Sequence, residues 1–366
     1  MTSGNPDTVR SGPVSDHLHC AVVDRGAGRT MRLFSRKARE YRVFGGLPSV
    51  EGASAHLRRH PLTGEWIAYS AARQGRTMLP DAHDCPLCPM HDASRLTDVP
   101  VADYEVAIFS NRFAALMPDP GTPPELGLPT RPGAGLCEVV SYSADHSASL
   151  ATIGTARIDL LVNALADRVP QIMQNPDIDC VLPFENRGRE IGVTLDHPHG
   201  QIYGLSHLPE RIRQTAEGFR GGNPLANVAS AIPDNLKLAE NDTGLAFVPP
   251  WARYPFEVWV VPHERVPDMS RLDAAARRDF AALVDVAAQR LDAVFESPMP
   301  YTFGWQLAPR GYEDSFHFHC VFQPLQRGRS KLKFLASVEQ FTGFFLVDLP
   351  PERAADILNG RASADD

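Results

Sequence analysis

The sequence predicts an α+β protein built mostly of antiparallel sheet, with helices on its flanks. Three observations lead there. Short runs that read as strands recur between Gly- and Pro-rich turns. Two long stretches, 151–173 and 272–295, carry apolar residues at helical spacing. The order of strands and helix in the first half returns in the second, so a duplicated fold is expected.

Taken in order, residues 1–45 are rich in Gly, Ser, Arg and Asp and lack clear periodicity. They are expected to form a flexible, loosely attached extension, with folded structure beginning near Ala55. Residues 65–70 read as a strand after the turn Pro61-Leu-Thr-Gly64. Strands at 105–110 and 138–142 flank a Pro/Gly-rich loop at about 118–135. The helix 151–173 sets Ile158, Leu161, Leu165 and Val169 on one stripe. Strands at about 180–186 and 197–203 close the first half. The second half reads as strands at 244–248 and 256–261, a helix at 272–295, and paired strands at 301–306 and 317–323. Two short matches support the repeat. Cys137-Glu-Val-Val resembles Phe256-Glu-Val-Trp, each followed a few residues on by a histidine, His146 and His263. His197-Pro-His199-Gly-Gln201 resembles His317-Phe-His319-Cys-Val321.

The chain has 366 residues and a net charge of −8, which argues against wholesale binding to nucleic acid or an anionic membrane. No run approaches the roughly 20 apolar residues of a membrane helix, and the N-terminus has no apolar signal core. A cytoplasmic protein is expected. Six cysteines in a chain of this length do not make a disulfide scaffold.

Candidate chemistry concentrates in the run from Phe184-Glu-Asn-Arg-Gly188 to His197-Pro-His-Gly-Gln201. On a strand, His197, His199 and Gln201 face one side. Two imidazoles and an amide are costly to bury without partners. For an isolated His-x-His the ordinary reading is a strand whose rings find local hydrogen bonds; the whole segment shifts that balance. The pair Cys85-Pro-Leu-Cys88 has the spacing that lets two thiolates hold one zinc. From the pair alone, a thioredoxin-type site or two unliganded cysteines stay open, although the flanking His/Asp-rich loop and Pro89 disfavour the former.

Phe-Glu-Asn-Arg-Gly followed by His-Pro-His-Gly-Gln resembles the active-site signature of galactose-1-phosphate uridylyltransferases, members of the histidine-triad superfamily. The resemblance covers about residues 55–360. It implies a duplicated histidine-triad-like fold, with a first half at 46–215 that carries zinc and nucleophile. The second half, 216–366, is degenerate and carries a sugar-binding segment. His199 is then the nucleophile, attacking the α-phosphorus of UDP-glucose to give a uridylyl-histidine that a second sugar 1-phosphate consumes. Gln201 stands where hydrolases of the superfamily carry a third histidine. An amide can hydrogen-bond a phosphoryl oxygen but is no acid or base at neutral pH, which favours transfer over hydrolysis. A structural zinc held by Cys85, Cys88, His146 and His197 follows from the same resemblance.

Arg73 and Arg76 match family positions suited to phosphate. Phe109 and Asn111 match a nucleoside-binding turn, Phe109-Ser-Asn-Arg-Phe113, in which Arg112 stands where an Asp is frequent. Asn186 and Thr194 match phosphate-contacting positions. Lys333, Phe334 and Glu339 lie in a segment resembling the family's sugar-binding run, which reaches the partner subunit's site; a homodimer with a shared active site follows. Departures from the family affect a second metal site and the sugar. Gln306, Val321 and Thr215 stand where second-metal ligands would fall, so that site is expected to be degenerate. Phe341, Phe344, Phe345, Leu346 and Val347 make the sugar end greasier, which points to a deoxy, amino or pentose 1-phosphate acceptor. Rival readings are a donor use of UTP, an ADP-glucose phosphorylase, and a non-catalytic nucleotide-sugar sensor.

Overall fold

The computed structural model describes residues 7–26, 29–45, 54–75, 78–91 and 95–364. A single 12-stranded sheet runs through both halves of the chain. From one edge its strands are Lys237–Glu240, Gly244–Phe247, Val258–Pro262, His319–Pro324, Tyr301–Gln306, Cys180–Arg187, His199–Leu205, Gly135–Ser141, Val106–Ser110, Thr30–Ser35, Leu18–Asp24 and Gly12–Ser15. Every pairing in it is antiparallel. The strands mirror about the central pair, Cys180–Arg187 beside Tyr301–Gln306, so His199–Leu205 and His319–Pro324 hold equivalent places.

Two long helices, Thr155–Met173 and Ala274–Asp292, pack against each other and over the sheet. Ile158, Leu161, Leu165 and Val169 are all buried, as their spacing predicts. Each helix is tied to the sheet by a forked ion pair. Arg168 donates from Nε and Nη2 to the Glu138 carboxylate at 2.8 and 2.7 Å, and both side chains are nearly fully buried. Arg187 donates to both oxygens of Asp292 at 2.6 and 2.9 Å. The fork geometry fixes orientation as well as distance.

The expectation of a loose extension at 1–45 is corrected. Leu18–Asp24 and Thr30–Ser35 are strands of the central sheet, and Thr30–Ser35 pairs directly with Val106–Ser110. Met31, Leu33 and Phe34 are fully buried. Asp7–Arg10 and Glu40–Val43 pair as a separate two-stranded ribbon. The alternation Met31, Leu33 was present in the sequence, but interspersed Arg and Ser masked it. Folded structure therefore begins well before Ala55. A further small sheet joins Ala55–Arg59, Trp66–Ser70 and Thr130–Pro132, the last a strand inside what reads as loop.

The alignment of the two halves also shifts. Val139 pairs with Gln201, while Trp259 pairs with Val321. Val139 is thus the counterpart of Trp259, one residue off the match that equates Glu138 with Glu257. A one-residue slip exchanges the faces of every side chain.

Removing residues 1–45 is expected to leave no stable native protein. Met31, Leu33 and Phe34 alone contribute about 5–9 kcal/mol of burial, comparable with the whole stability of a domain. A thermal melt of the truncated chain checks this; an unchanged Tm would restore the extension reading.

Candidate active site

Gly200 separates His199 from Gln201 on the strand His199–Leu205, and a Cβ there would lie 2.8 Å from the Phe184 carbonyl. Glycine lets the neighbouring strand close up, which fixes the two functional side chains on the opposite face. His199 Nδ1 lies 2.8 Å from the carbonyl oxygen of His197. A carbonyl only accepts, so Nδ1 carries the proton and Nε2 carries the lone pair. Burial lowers the His199 pKa, against the opposing effect of that hydrogen bond. The ring is therefore neutral near pH 7, with a nucleophilic nitrogen turned away from its anchor.

Gln201 is oriented in the same manner. The Phe113 backbone N–H donates to Asn111 Oδ1 at 2.8 Å, and Asn111 Nδ2 donates to Gln201 Oε1 at 3.3 Å. This chain of bonds leaves Gln201 Nε2 as the donor facing the cavity. Phe109, Val139 and Gln201 form one row across three strands by register. An open pocket is lined by Phe109, Asn111, Thr194, His199 and Gln201, together with Asp98. An adjoining groove holds Asn186, Gly188, His197 and His199.

His197 precedes the strand instead of beginning it. It turns into a cluster with Cys85, Cys88 and His146, whose ligand atoms all lie within 4.8 Å of one another. Cys88 Sγ is 3.5 Å from Nδ1 of both His146 and His197. His197 Nε2 is held by the Ser143 carbonyl at 2.8 Å and the Tyr104 hydroxyl at 3.0 Å, so Nδ1 is presented to the cluster. Burial lowers His197 to about 4, which keeps it neutral. Burial and Cys85 push the Cys88 thiol up to about 12. Two soft sulfurs and two imidazole nitrogens fit a tetrahedral divalent metal, whose charge would favour the Cys88 thiolate that burial alone opposes.

The remaining expected residues divide. Arg73 donates to the Tyr203 hydroxyl at 3.1 Å, two residues along the strand from Gln201, and does not line the pocket. Arg76 lies outside the described residues. Lys333, Phe334 and Glu339 are not among the residues lining the His199 cavities. Lys333 Nζ donates to Glu339 Oε1 at 2.6 Å, while the Ala336 and Leu346 amides also donate to that carboxylate. Lys333 and these bonds hold Glu339 well below the usual carboxylate range. Phe334 is 73% exposed. Thr215 is exposed on the helix Glu210–Arg220.

Sequence reasoning missed Asp98, Arg25 and the wall formed by Pro86 and Leu87. Leu87 sits between the two cysteines, so the cluster also shapes the pocket. Arg25 comes from the misread N-terminal segment; its Cζ lies over the Phe109 ring, 5.4 Å from the centroid.

The second half preserves the backbone device but not the cavity. His319 Nδ1 bonds to the His317 carbonyl at 2.8 Å, as His199 does to His197. The Trp259 indole stacks on His319, with centroids 4.8 Å apart and planes 11° apart, where the first half has the small Val139. Phe316 lies against the ring as well.

The family profile described as galactose-1-phosphate uridyl transferase, N-terminal domain, matches residues 48–209, and that of the C-terminal domain matches residues 231–362. The galactose-1-phosphate uridylyltransferase of Thermotoga maritima is 36% identical over 314 residues, covering 82% of this chain and 96% of its own. That of Streptomyces lividans is 34% identical, covering 83% and 86%. A solved uridylyltransferase structure superposes with a TM-score of 0.72 at 26% identity, covering 84% of this chain and 98% of its own. An ADP-glucose phosphorylase from Arabidopsis thaliana, solved with bound ADP-glucose, shares the fold at 22% identity and a TM-score of 0.62, covering 84% and 99%.

The cluster generates a direct expectation. Elemental analysis of the purified protein should find one divalent metal per chain, and Cys88→Ala should lose it along with about 4 kcal/mol or more of stability. Full metal content in Cys88→Ala would overturn the assignment.

Proposed function

The chain belongs to the galactose-1-phosphate uridyl transferase family, and from that premise we propose that it moves UMP from UDP-glucose to a second sugar 1-phosphate through a uridylyl group on His199. The observation that carries this reading is the hydrogen bond from His199 Nδ1 to the His197 carbonyl. It directs the lone pair of Nε2 into the pocket and accepts the charge that develops on the ring.

In the first step the Nε2 lone pair forms the N–P bond at the α-phosphorus. The anhydride P–O bond breaks, and its electrons leave with glucose 1-phosphate. The Nδ1 proton stays on the ring, shared with the His197 carbonyl. The leaving group is a phosphate, so no protonation by a general acid is required. In the second step a sugar 1-phosphate oxygen attacks the same phosphorus and returns the lone pair to Nε2. Gln201 Nε2 donates to a non-bridging oxygen as charge builds there. Asn111, Thr194 and Asn186 lie at the two cavities that meet at His199 and supply further polar contacts.

We assign the metal of the Cys/His cluster as zinc, in a closed structural role. Bound there, zinc would fix His197 and activate no water. His197 is a positioning residue, because its carbonyl anchors the nucleophile. The segment bearing Lys333, Phe334 and Glu339 is proposed to complete the sugar site of a second copy. That these residues line neither His199 cavity, and the exposure of Phe334, Phe341 and Phe344, support that arrangement. The same apolar surface favours a less hydroxylated acceptor than galactose 1-phosphate. No described helix is long and apolar enough to cross a membrane. The cysteines are all unpaired, which fits the reducing cytoplasm to which we assign the protein.

Incubation with UDP-glucose and no acceptor should leave acid-labile UMP on His199, with an equal amount of glucose 1-phosphate released. Mass spectrometry reads both, and His199→Gly should show neither. Gln201→Ala should keep the adduct but lower kcat about a hundredfold. Absence of any adduct from UDP-glucose, UTP or ADP-glucose would remove the transferase reading.

A further inference from the structure

The nucleotide pocket contains a charged group that the family-like residues do not include. Asp98 lines it, in a loop whose backbone N–H donates to the Pro86 carbonyl at 2.7 Å. Two guanidiniums flank its carboxylate. Arg112 Nη2 is 3.7 Å from one oxygen, and Arg25 Nη2 is 3.8 Å from the other. Those separations suit ion pairing but exceed hydrogen-bond reach. Among the described residues, neither Asp98 oxygen accepts a hydrogen bond.

Arg25 is equally incomplete. It is 7% exposed, and its Nε and Nη2 have no hydrogen-bond partner among the described residues. Arg112 Nε is likewise buried and unpartnered. The Arg25 guanidinium lies over Phe109, itself a wall of the pocket. Arg25 directly follows the strand Leu18–Asp24, and its N–H donates to the Arg29 carbonyl at 2.9 Å. This segment precedes residue 48, where the family match begins. Buried polar groups in native proteins are normally satisfied, so a pocket-lining carboxylate that accepts no hydrogen bond, with Arg112 on the same wall and Arg25 over Phe109, points to a polar ligand that donates.

We propose that Asp98, held in place by Arg25 and Arg112, is a specificity-determining residue that accepts hydrogen bonds from an adjacent pair of donors on the nucleoside. A carboxylate has only lone pairs to offer, so it selects donors. Two nucleoside features present an adjacent donor pair: the ribose 2′,3′-diol, and the N1–H and N2 amino edge of guanine. Uracil offers one N–H between two acceptors. Arg25 and Arg112 act as positioning residues, one guanidinium beside each oxygen of the Asp98 carboxylate.

This inference rests on the nucleotide-transfer reading of the pocket, yet it is tested by binding alone. Calorimetric titration of the full chain with UMP, 2′-deoxy-UMP and GMP separates the sources. Loss of about tenfold or more in affinity from UMP to 2′-deoxy-UMP identifies the diol. GMP binding about tenfold or more tighter than UMP identifies the base edge. Hydrogen bonds to a charged acceptor are worth that much. Either preference should collapse to within about threefold in Asp98→Asn. If that variant does not fold, Asp98→Glu keeps the charge, moves the oxygens by one methylene, and should blunt the same preference. Three nucleotides bound equally by the wild type, or a preference that survives at residue 98, would overturn the proposal. A protein that forms uridylyl-His199 yet ignores these changes loses this inference alone. Selective binding without any adduct sustains the inference and removes the transferase reading.

Discussion

The 2.8 Å hydrogen bond between His199 Nδ1 and the His197 carbonyl is the constraint on which the site depends. It joins two functions within three residues. The His197 ring belongs to the Cys/His cluster, and its backbone oxygen sets the tautomer and direction of the nucleophile. In the proposed mechanism the cluster would act through the peptide backbone, with no contact to substrate. Tyr104 extends the support, since its hydroxyl meets the His197 ring, Ser141 Oγ and the Ser143 carbonyl. Ser141 pairs across the sheet with His199 itself. The His197 ring is thus held from the cluster side while the His199 backbone is held by the sheet, which is the kind of pre-organisation a proposed nucleophile requires.

The two halves show how little of this device is sufficient for chemistry. Both carry a histidine whose Nδ1 bonds the carbonyl two residues back. In the second half the indole of Trp259 lies flat on that ring, and Val321 replaces the amide donor. Burial drives His319 to about 4, and its surroundings are aromatic. The second half has kept the backbone geometry as packing, while the first half keeps an open pocket. Val139 decides the difference locally, because a small aliphatic side chain beside Gln201 leaves the room that an indole takes up.

The convergence of the candidate site was legible in the sequence because much of it lies in one short segment. Cys85, Cys88, His146 and His197 do converge, and His199, Gln201, Asn111 and Thr194 do meet at one pocket. The strands and both long helices were legible from periodicity. The N-terminal strands were not, since a strand such as Thr30–Ser35 is half polar and gains much of its burial from distant partners, among them Val106–Ser110, more than seventy residues away. Asp98 and Arg25 were illegible for a related reason. A lone Asp in a loop and a lone Arg after a strand carry no pattern; their meaning arises when the fold sets Arg25 over Phe109 and Asp98 in the pocket that Phe109 lines. The slip between Glu138 and Glu257 has a different origin. A short string match ignored register, and register is fixed by the partner strand.

The amide at residue 201 bears on how a reactive intermediate is kept from water. Attack by water on a uridylyl-imidazole benefits from a base that removes a proton, whereas a sugar 1-phosphate arrives already ionised, its second pKa being about 6. Gln201 has no proton-accepting role to offer at neutral pH, and the donation from Asn111 Nδ2 holds its oxygen away from that task. In the proposed intermediate the His199 ring is itself committed: its Nε2 would bear the uridylyl group, and its Nδ1 proton faces a carbonyl. Replacing an imidazole with an amide therefore leaves the intended acceptor unaffected while withholding the base that water needs. Selectivity for transfer then arises from what the site omits as much as from what it binds, and the same logic explains why the Phe113–Asn111–Gln201 chain of hydrogen bonds matters: a freely rotating amide would give up both the phosphoryl donor and the discrimination.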